Sequence, residues 1–104
     1  MTGSELRACL INKWGYSYDV QLRKTSNKLF FQVMWRYLEQ ASFPMTETEY
    51  LTHLEQVATY LTAWNSAEPI KTAIATCKDR PRLGKAVNIP IDLGERATEW
   101  LVDE

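Results

Sequence analysis

Apolar residues recur along this chain first at helical spacing, then in alternation, then at helical spacing again. Leu6, Cys9, Leu10 and Trp14 fall on one helical face. Thr2 and Glu5, just ahead, match a capping box, in which each side chain satisfies the other residue's backbone N–H. Gly15 can take the left-handed conformation that ends a helix. The pattern predicts a helix from the start of the chain to Trp14.

Alternation follows. Tyr18, Val20 and Leu22 interleave with Asp19, Gln21 and Arg23, as in a half-buried strand. Thr25-Ser26-Asn27 is turn chemistry, and residues 28–37 are the most strand-like run in the chain. A loop at Ser26-Asn27 sets Leu22 opposite Phe31, Val20 opposite Val33 and Tyr18 opposite Trp35. All six are apolar, and opposed residues share a sheet face. A slip of one residue destroys the match. The other face is mixed, with Asp19, Gln21, Arg23, Phe30, Gln32, Met34 and Arg36.

Helical spacing returns after Phe43-Pro44-Met45. Thr46 and Glu49 form a second capping box, with Met45 and Tyr50 placed as a hydrophobic staple. Tyr50, Leu54, Val57, Ala58, Leu61 and Trp64 line a long helix, which Asn65-Ser66 interrupts. A third helix begins near Pro69 and carries Ile70, Ala73, Ile74 and Cys77. Val87, Ile89 and Ile91 alternate as a short third strand, and Pro90, which cannot donate to a ladder, makes it an edge or terminal strand. Asp92 and Glu95 make a third cap pair at the start of a last helix bearing Leu93, Ala97, Trp100 and Leu101. The order α-β-β-α-α-β-α predicts an α+β fold, a small sheet packed with about four helices. With 104 residues, the chain is expected to form a single globular domain, residues 1–104.

Composition narrows the chemistry. Twelve Lys and Arg face thirteen Asp and Glu, which excludes a domain that is cationic as a whole but not a local basic patch. One His and two Cys cannot build the usual zinc site, and no metal or other cofactor is expected. Cys9 and Cys77 fit no CxxC pattern and are read as reduced thiols of a cytosol-like compartment. No apolar run is long enough for a membrane-spanning helix, and the N-terminus lacks the plan of a secretory signal.

Three stretches carry a family resemblance. They are Lys13-Trp14-Gly15-Tyr16-Ser17-Tyr18-Asp19-Val20-Gln21-Leu22-Arg23, then Gln32-Val33-Met34-Trp35-Arg36-Tyr37-Leu38-Glu39-Gln40, then Arg80-Pro81-Arg82-Leu83-Gly84-Lys85-Ala86-Val87 with Leu93-Gly94-Glu95-Arg96. Together they resemble an uncharacterised family, a domain of unknown function, of small proteins from cyanobacteria and plant plastids. The resemblance spans nearly the whole chain. It implies a soluble protein of a photosynthetic cell, cytoplasmic, or in the plastid stroma for plant relatives. It brings no activity and no catalytic residue.

The leading site is a basic loop. Lys78, Arg80, Arg82 and Lys85 gather four cations within eight residues, offset by Asp79. Arg forks suit carboxylate or phosphate, and Gly84 allows a ligand close to the backbone. The plain alternative is a solvated loop whose Lys78 and Arg80 face the C-terminal end of a helix dipole. Leu83-Gly84-Lys85 is not a phosphate-binding P-loop, because it lacks the first Gly and the hydroxyl residue after Lys. Arg23 and Arg36 on the mixed hairpin face are a second binding candidate, unless a helix covers that face. His53, with Glu49 one turn earlier, has no nucleophile placed beside it and is read as a boundary histidine. Cys77 near Lys78 and Arg80 is read as part of its helical stripe. The four tryptophans are read as core.

These features predict a non-enzymatic protein-interaction or assembly module, with an unknown acidic protein as partner and no membrane insertion. The alternative is an RNA- or small-anion-binding domain using the same cations. No catalytic residues are assigned.

Overall fold

The computed structural model describes residues 1–26 and 28–92. Within them the order is α1 (Gly3–Trp14), β1 (Tyr18–Thr25), β2 (Lys28–Tyr37), α2 (Glu47–Ala63), α3 (Ala67–Thr76) and β3 (Val87–Ile91). The strands form one antiparallel sheet in the order β1-β2-β3. The class is α+β, as expected, with three helices among the described residues; the fourth helical stripe lies outside them.

Local chemistry places the helix ends where the sequence put them. Thr2 and Glu5 cap α1 reciprocally, and Thr46 and Glu49 do the same for α2. Gly15 closes α1 in the left-handed region at φ 89°. Asn65 turns the chain between α2 and α3, also at positive φ.

Val20, Leu29, Phe31, Val33, Val87, Ile89 and Ile91 share one face of the sheet. They meet Leu6, Leu10 and Trp14 of α1, Tyr50, Leu54, Val57 and Leu61 of α2, and Ile70 and Ile74 of α3 in one buried cluster. The opposite face contributes no side chain to that cluster. Burying these side chains is the main favourable term in folding.

Val20 pairs with Val33 and Leu22 with Phe31, as the alternation predicts. Tyr18 does not pair with Trp35. A register shift between Tyr18 and Val20 pairs it with Tyr37 instead. There the Tyr37 ring meets the Tyr18 ring edge-on at 5.4 Å and stacks on Tyr16 at 4.3 Å. Residues 35 and 37 share parity, so alternation alone cannot separate the two pairings. Trp35 is consequently half-buried rather than core, with the Arg36 guanidinium 5.1 Å from its ring centre. Trp14 and Trp64 are buried as expected, and Trp100 lies outside the described residues.

β1 is an edge strand, and α2 covers its outward carbonyls. The Tyr50 hydroxyl donates to the Tyr18 carbonyl at 2.7 Å, and His53 Nε2 meets the Val20 carbonyl. Residues three apart on a helix share a face, as do residues two apart on a strand, so one helix turn serves both carbonyls. This blunts an edge that is otherwise a template for pairing with another chain. β3, at the other edge, carries Pro90, which cannot donate to an added strand.

Candidate anion-binding site

The loop from α3 to β3 is held at several points. Trp14 Nε1 donates to the Asp79 carbonyl at 3.1 Å, because a buried indole N–H needs a partner. The Cys77 thiol donates to the same carbonyl at 3.6 Å, while its side chain packs at the core boundary. Pro81 is buried although its neighbours are exposed. The Arg80 guanidinium lies near the Tyr18 phenol. Burial raises the Tyr18 phenol's pKa, and the nearby Arg80 charge offsets part of that rise.

Beyond Pro81 the chain makes a tight turn. Arg82 N–H donates to the Lys85 carbonyl at 3.0 Å, and Lys85 N–H donates back at 2.7 Å. Gly84 sits at φ 78°, the positive value that the third residue of a type II turn requires. Arg82 and Lys85 therefore form a directly opposed bridge pair, with their side chains on one side of the turn. Leu83, at the tip, is 86% exposed.

Asp79, Arg80, Arg82, Lys85, Ala86, Val87 and Asn88 line one pocket of about 240 Å³. The fold thus brings together three of the predicted cations. Lys78 is exposed and is not part of the lining. Nor is it needed at the end of α3, where Lys13 of α1 donates its Nζ to the Ala75 carbonyl at 3.0 Å. Arg23 pairs in the row of Phe30 and Pro90, about 10 Å along the sheet from the row of Val33 and Val87 at 3.3 Å per residue. Arg36 is engaged with Trp35 and is outside the lining. The six predicted binding residues are therefore not all brought together: Arg80, Arg82 and Lys85 line one pocket, while Lys78, Arg23 and Arg36 stand apart.

Sequence reasoning missed Asn88 and the part Asp79 plays. Gln32 Nε2 donates to Asn88 Oδ1 at 2.7 Å, which leaves the Asn88 amide NH₂ as a donor. The signal was present in the alternation, since Asn88 is a polar position between Val87 and Ile89. It needed a strand pairing to acquire a meaning.

Two other polar groups are structural. Arg7 donates from Nε to the buried Ser17 hydroxyl at 3.0 Å and approaches Glu39 and Glu47 at 3.9 and 3.8 Å. Glu39 also accepts from Ser17 N–H at 2.9 Å. Burial pushes the Glu39 carboxyl up, but the Ser17 donors and Arg7 outweigh it and hold its pKa below the ordinary value. His53 has its Nε2 on the Val20 carbonyl and 3.7 Å from Asp19 Oδ1. Glu49 is occupied in the capping box, so it is Asp19 that faces the ring.

Asp19 supports a pH prediction. Burial raises its pKa, only partly opposed by His53 and the Val20 N–H. The folded state then binds more protons than the unfolded state across the window above the ordinary Asp value. Stability from this group is lost as pH rises through that window, and ionised Asp19 weakens the fold at neutral pH. Asp19→Asn is expected to melt at or above the wild-type temperature at pH 7, with the difference shrinking as pH falls toward 4. A variant that melts lower at pH 7 would show that the contact with His53 outweighs burial.

Among the described residues, no cluster of His, Cys, Asp and Glu is placed to hold a metal ion. No described helix is long and apolar enough to cross a membrane. Cys9 and Cys77 are free thiols.

Residues 4–101 match the model of the family described as "Domain of unknown function (DUF3067)". The solution NMR structure of Alr2454 protein, from the cyanobacterium Nostoc sp. strain PCC 7120, is similar to this chain. It is 65% identical, with 100% of both chains covered and a TM-score of 0.88. No curated protein matches the chain in sequence.

Proposed function

The chain belongs to the DUF3067 family, and we propose that it is a non-enzymatic interaction or assembly module that receives an acidic protein partner at the turn carrying Arg82 and Lys85. The observation that carries this reading is the convergence of Arg80, Arg82 and Lys85 on one pocket. Among the described residues none of the three makes an ion pair with a carboxylate, whereas Arg7 and Lys71 do. Directly opposed like charges give no folding gain. Their grouping is accounted for by an anion supplied from outside.

Leu83 favours a protein over a nucleic acid as that partner. An apolar side chain at the tip of the turn, between Arg82 and Lys85, matches an apolar recess bordered by carboxylates. Single-stranded RNA is held by stacking its bases on aromatic rings. The outward sheet face offers Phe30 for that purpose, and Tyr16 and Tyr37 are already stacked on each other. The partner would be met in the cytoplasm of a photosynthetic cell, a setting suggested by the cyanobacterial source of the similar structure.

The test replaces Arg80, Arg82 and Lys85 together by Gln. Exposed charges contribute little to stability, so the melting temperature should barely move. A charge-assisted hydrogen bond to the partner is worth about 1.5–3 kcal/mol, so removing even one weakens binding roughly tenfold or more. Capture from native lysate with nuclease present should be salt-sensitive in the wild type and abolished in the variant. Capture by the variant at wild-type affinity overturns the proposal, as does capture that nuclease abolishes.

A further inference from the structure

We propose that the pocket of Arg80, Arg82 and Lys85 takes the dianion of a phosphate monoester in preference to a carboxylate. The proposal rests on the interaction reading above and specifies the group that this site recognises. Three cations against the one carboxylate of Asp79 leave the pocket wall with a net charge of +2. A carboxylate brings a single negative charge and two oxygens. A phosphate monoester at neutral pH brings a charge of about −1.5 to −2 and three acceptor oxygens. It therefore matches the charge and offers one oxygen to each of the three cations.

The donors are arranged before any ligand arrives. The Asp79 carbonyl, next to Arg80, is held by Trp14 Nε1. The reciprocal backbone bonds of the turn set Arg82 and Lys85 side by side. Asn88, with its carbonyl oxygen accepting from Gln32, keeps its NH₂ for a fourth, neutral contact. Such preorganisation lowers the ordering cost of binding. The repulsion between Arg82 and Lys85 is relieved by a dianion that both can touch. The diester phosphates of RNA carry one charge each and fit the charge of this pocket less well.

Free inorganic phosphate and a phosphorylated side chain of a protein partner present the same chemistry. NMR titrations of the full chain with sodium phosphate, sodium acetate and a short RNA oligonucleotide test the charge preference. At pH 7.5 phosphate should bind at least tenfold more tightly than acetate. That preference should shrink at pH 5, where the phosphate is a monoanion. Arg82→Gln and Lys85→Gln should each weaken phosphate at least threefold while leaving the remaining spectrum folded. A phosphoserine peptide, compared with its Ser and Glu counterparts, separates the sources. Tighter binding than inorganic phosphate assigns the site to a phosphorylated partner, and equal binding assigns it to free phosphate.

Equal affinity for acetate and phosphate overturns the proposal, as do tighter binding of the oligonucleotide and indifference to both substitutions. Polyglutamate provides the separation from the broader reading. If it binds the wild type but not the triple Gln variant while phosphate shows no preference, the interaction reading stands and the phosphate assignment fails. If neither polyglutamate nor phosphate binds, both fail.

Discussion

Phe31→Ala is expected to cost roughly 3–5 kcal/mol of stability, the range for truncating a large core aromatic. Phe31 is 0% exposed and lies in the middle strand, between Leu22 of β1 and Ile89 of β3. Its ring faces the layer of helices, so truncation leaves a void bounded by elements tied down by many other interactions. Phe30 is the internal control. It is one residue away but on the other face, half-buried and outside the core cluster. Phe30→Ala should therefore cost much less. Urea unfolding of both variants reads the difference. Comparable losses, or a loss under about 1 kcal/mol for Phe31, would contradict the face assignment on which the fold rests.

Gly3→Ala is expected to destabilise, against what helix propensity suggests. At an ordinary helical position, replacing Gly by Ala gains about 0.5–1 kcal/mol. Gly3 opens α1, where that helix crosses α2. A Cβ there would sit 2.8 Å from the Glu55 backbone N and 3.1 Å from its Cα. These are backbone atoms of a packed helix and cannot swing aside. The Gly3 N–H also donates to Glu55 Oε1 at 2.8 Å, a bond that moving α1 away would lengthen. Overpacking of this kind costs roughly 1–3 kcal/mol, so the net change should be a lower melting temperature. A rise would mean that the two helices tolerate a wider crossing.

Much of this protein was legible because local rules act over a few residues. The capping boxes at Thr2 and Thr46 and the stop at Gly15 need no partner from elsewhere in the chain. The hairpin register from Val20 to Leu22 followed from alternation, because a slip by one exchanges the faces. Pro90 placed β3 at an edge for want of an N–H. The basic loop was visible as a concentration of charge. What alternation could not settle was a shift by two, which preserves parity. Aromatic packing with Tyr16 and Tyr18 chose Tyr37 over Trp35.

The site shows the same division. The sequence by itself determined that cations gather between α3 and β3, because charge density along the chain needs no fold. Only the tertiary structure decided which of them lie together around one pocket. Lys78 yields the helix end to Lys13, which reaches it because α1 packs beside α3. Arg23 and Arg36 share the hairpin with each other but not the pocket, since strand direction carries Arg23 to the far end of the sheet and Trp35 engages Arg36. Asn88 joined because β3 pairs with β2 at Gln32. Each outcome depends on residues far apart in the chain coming together, and a pattern read along the chain holds no information about which distant residues become neighbours.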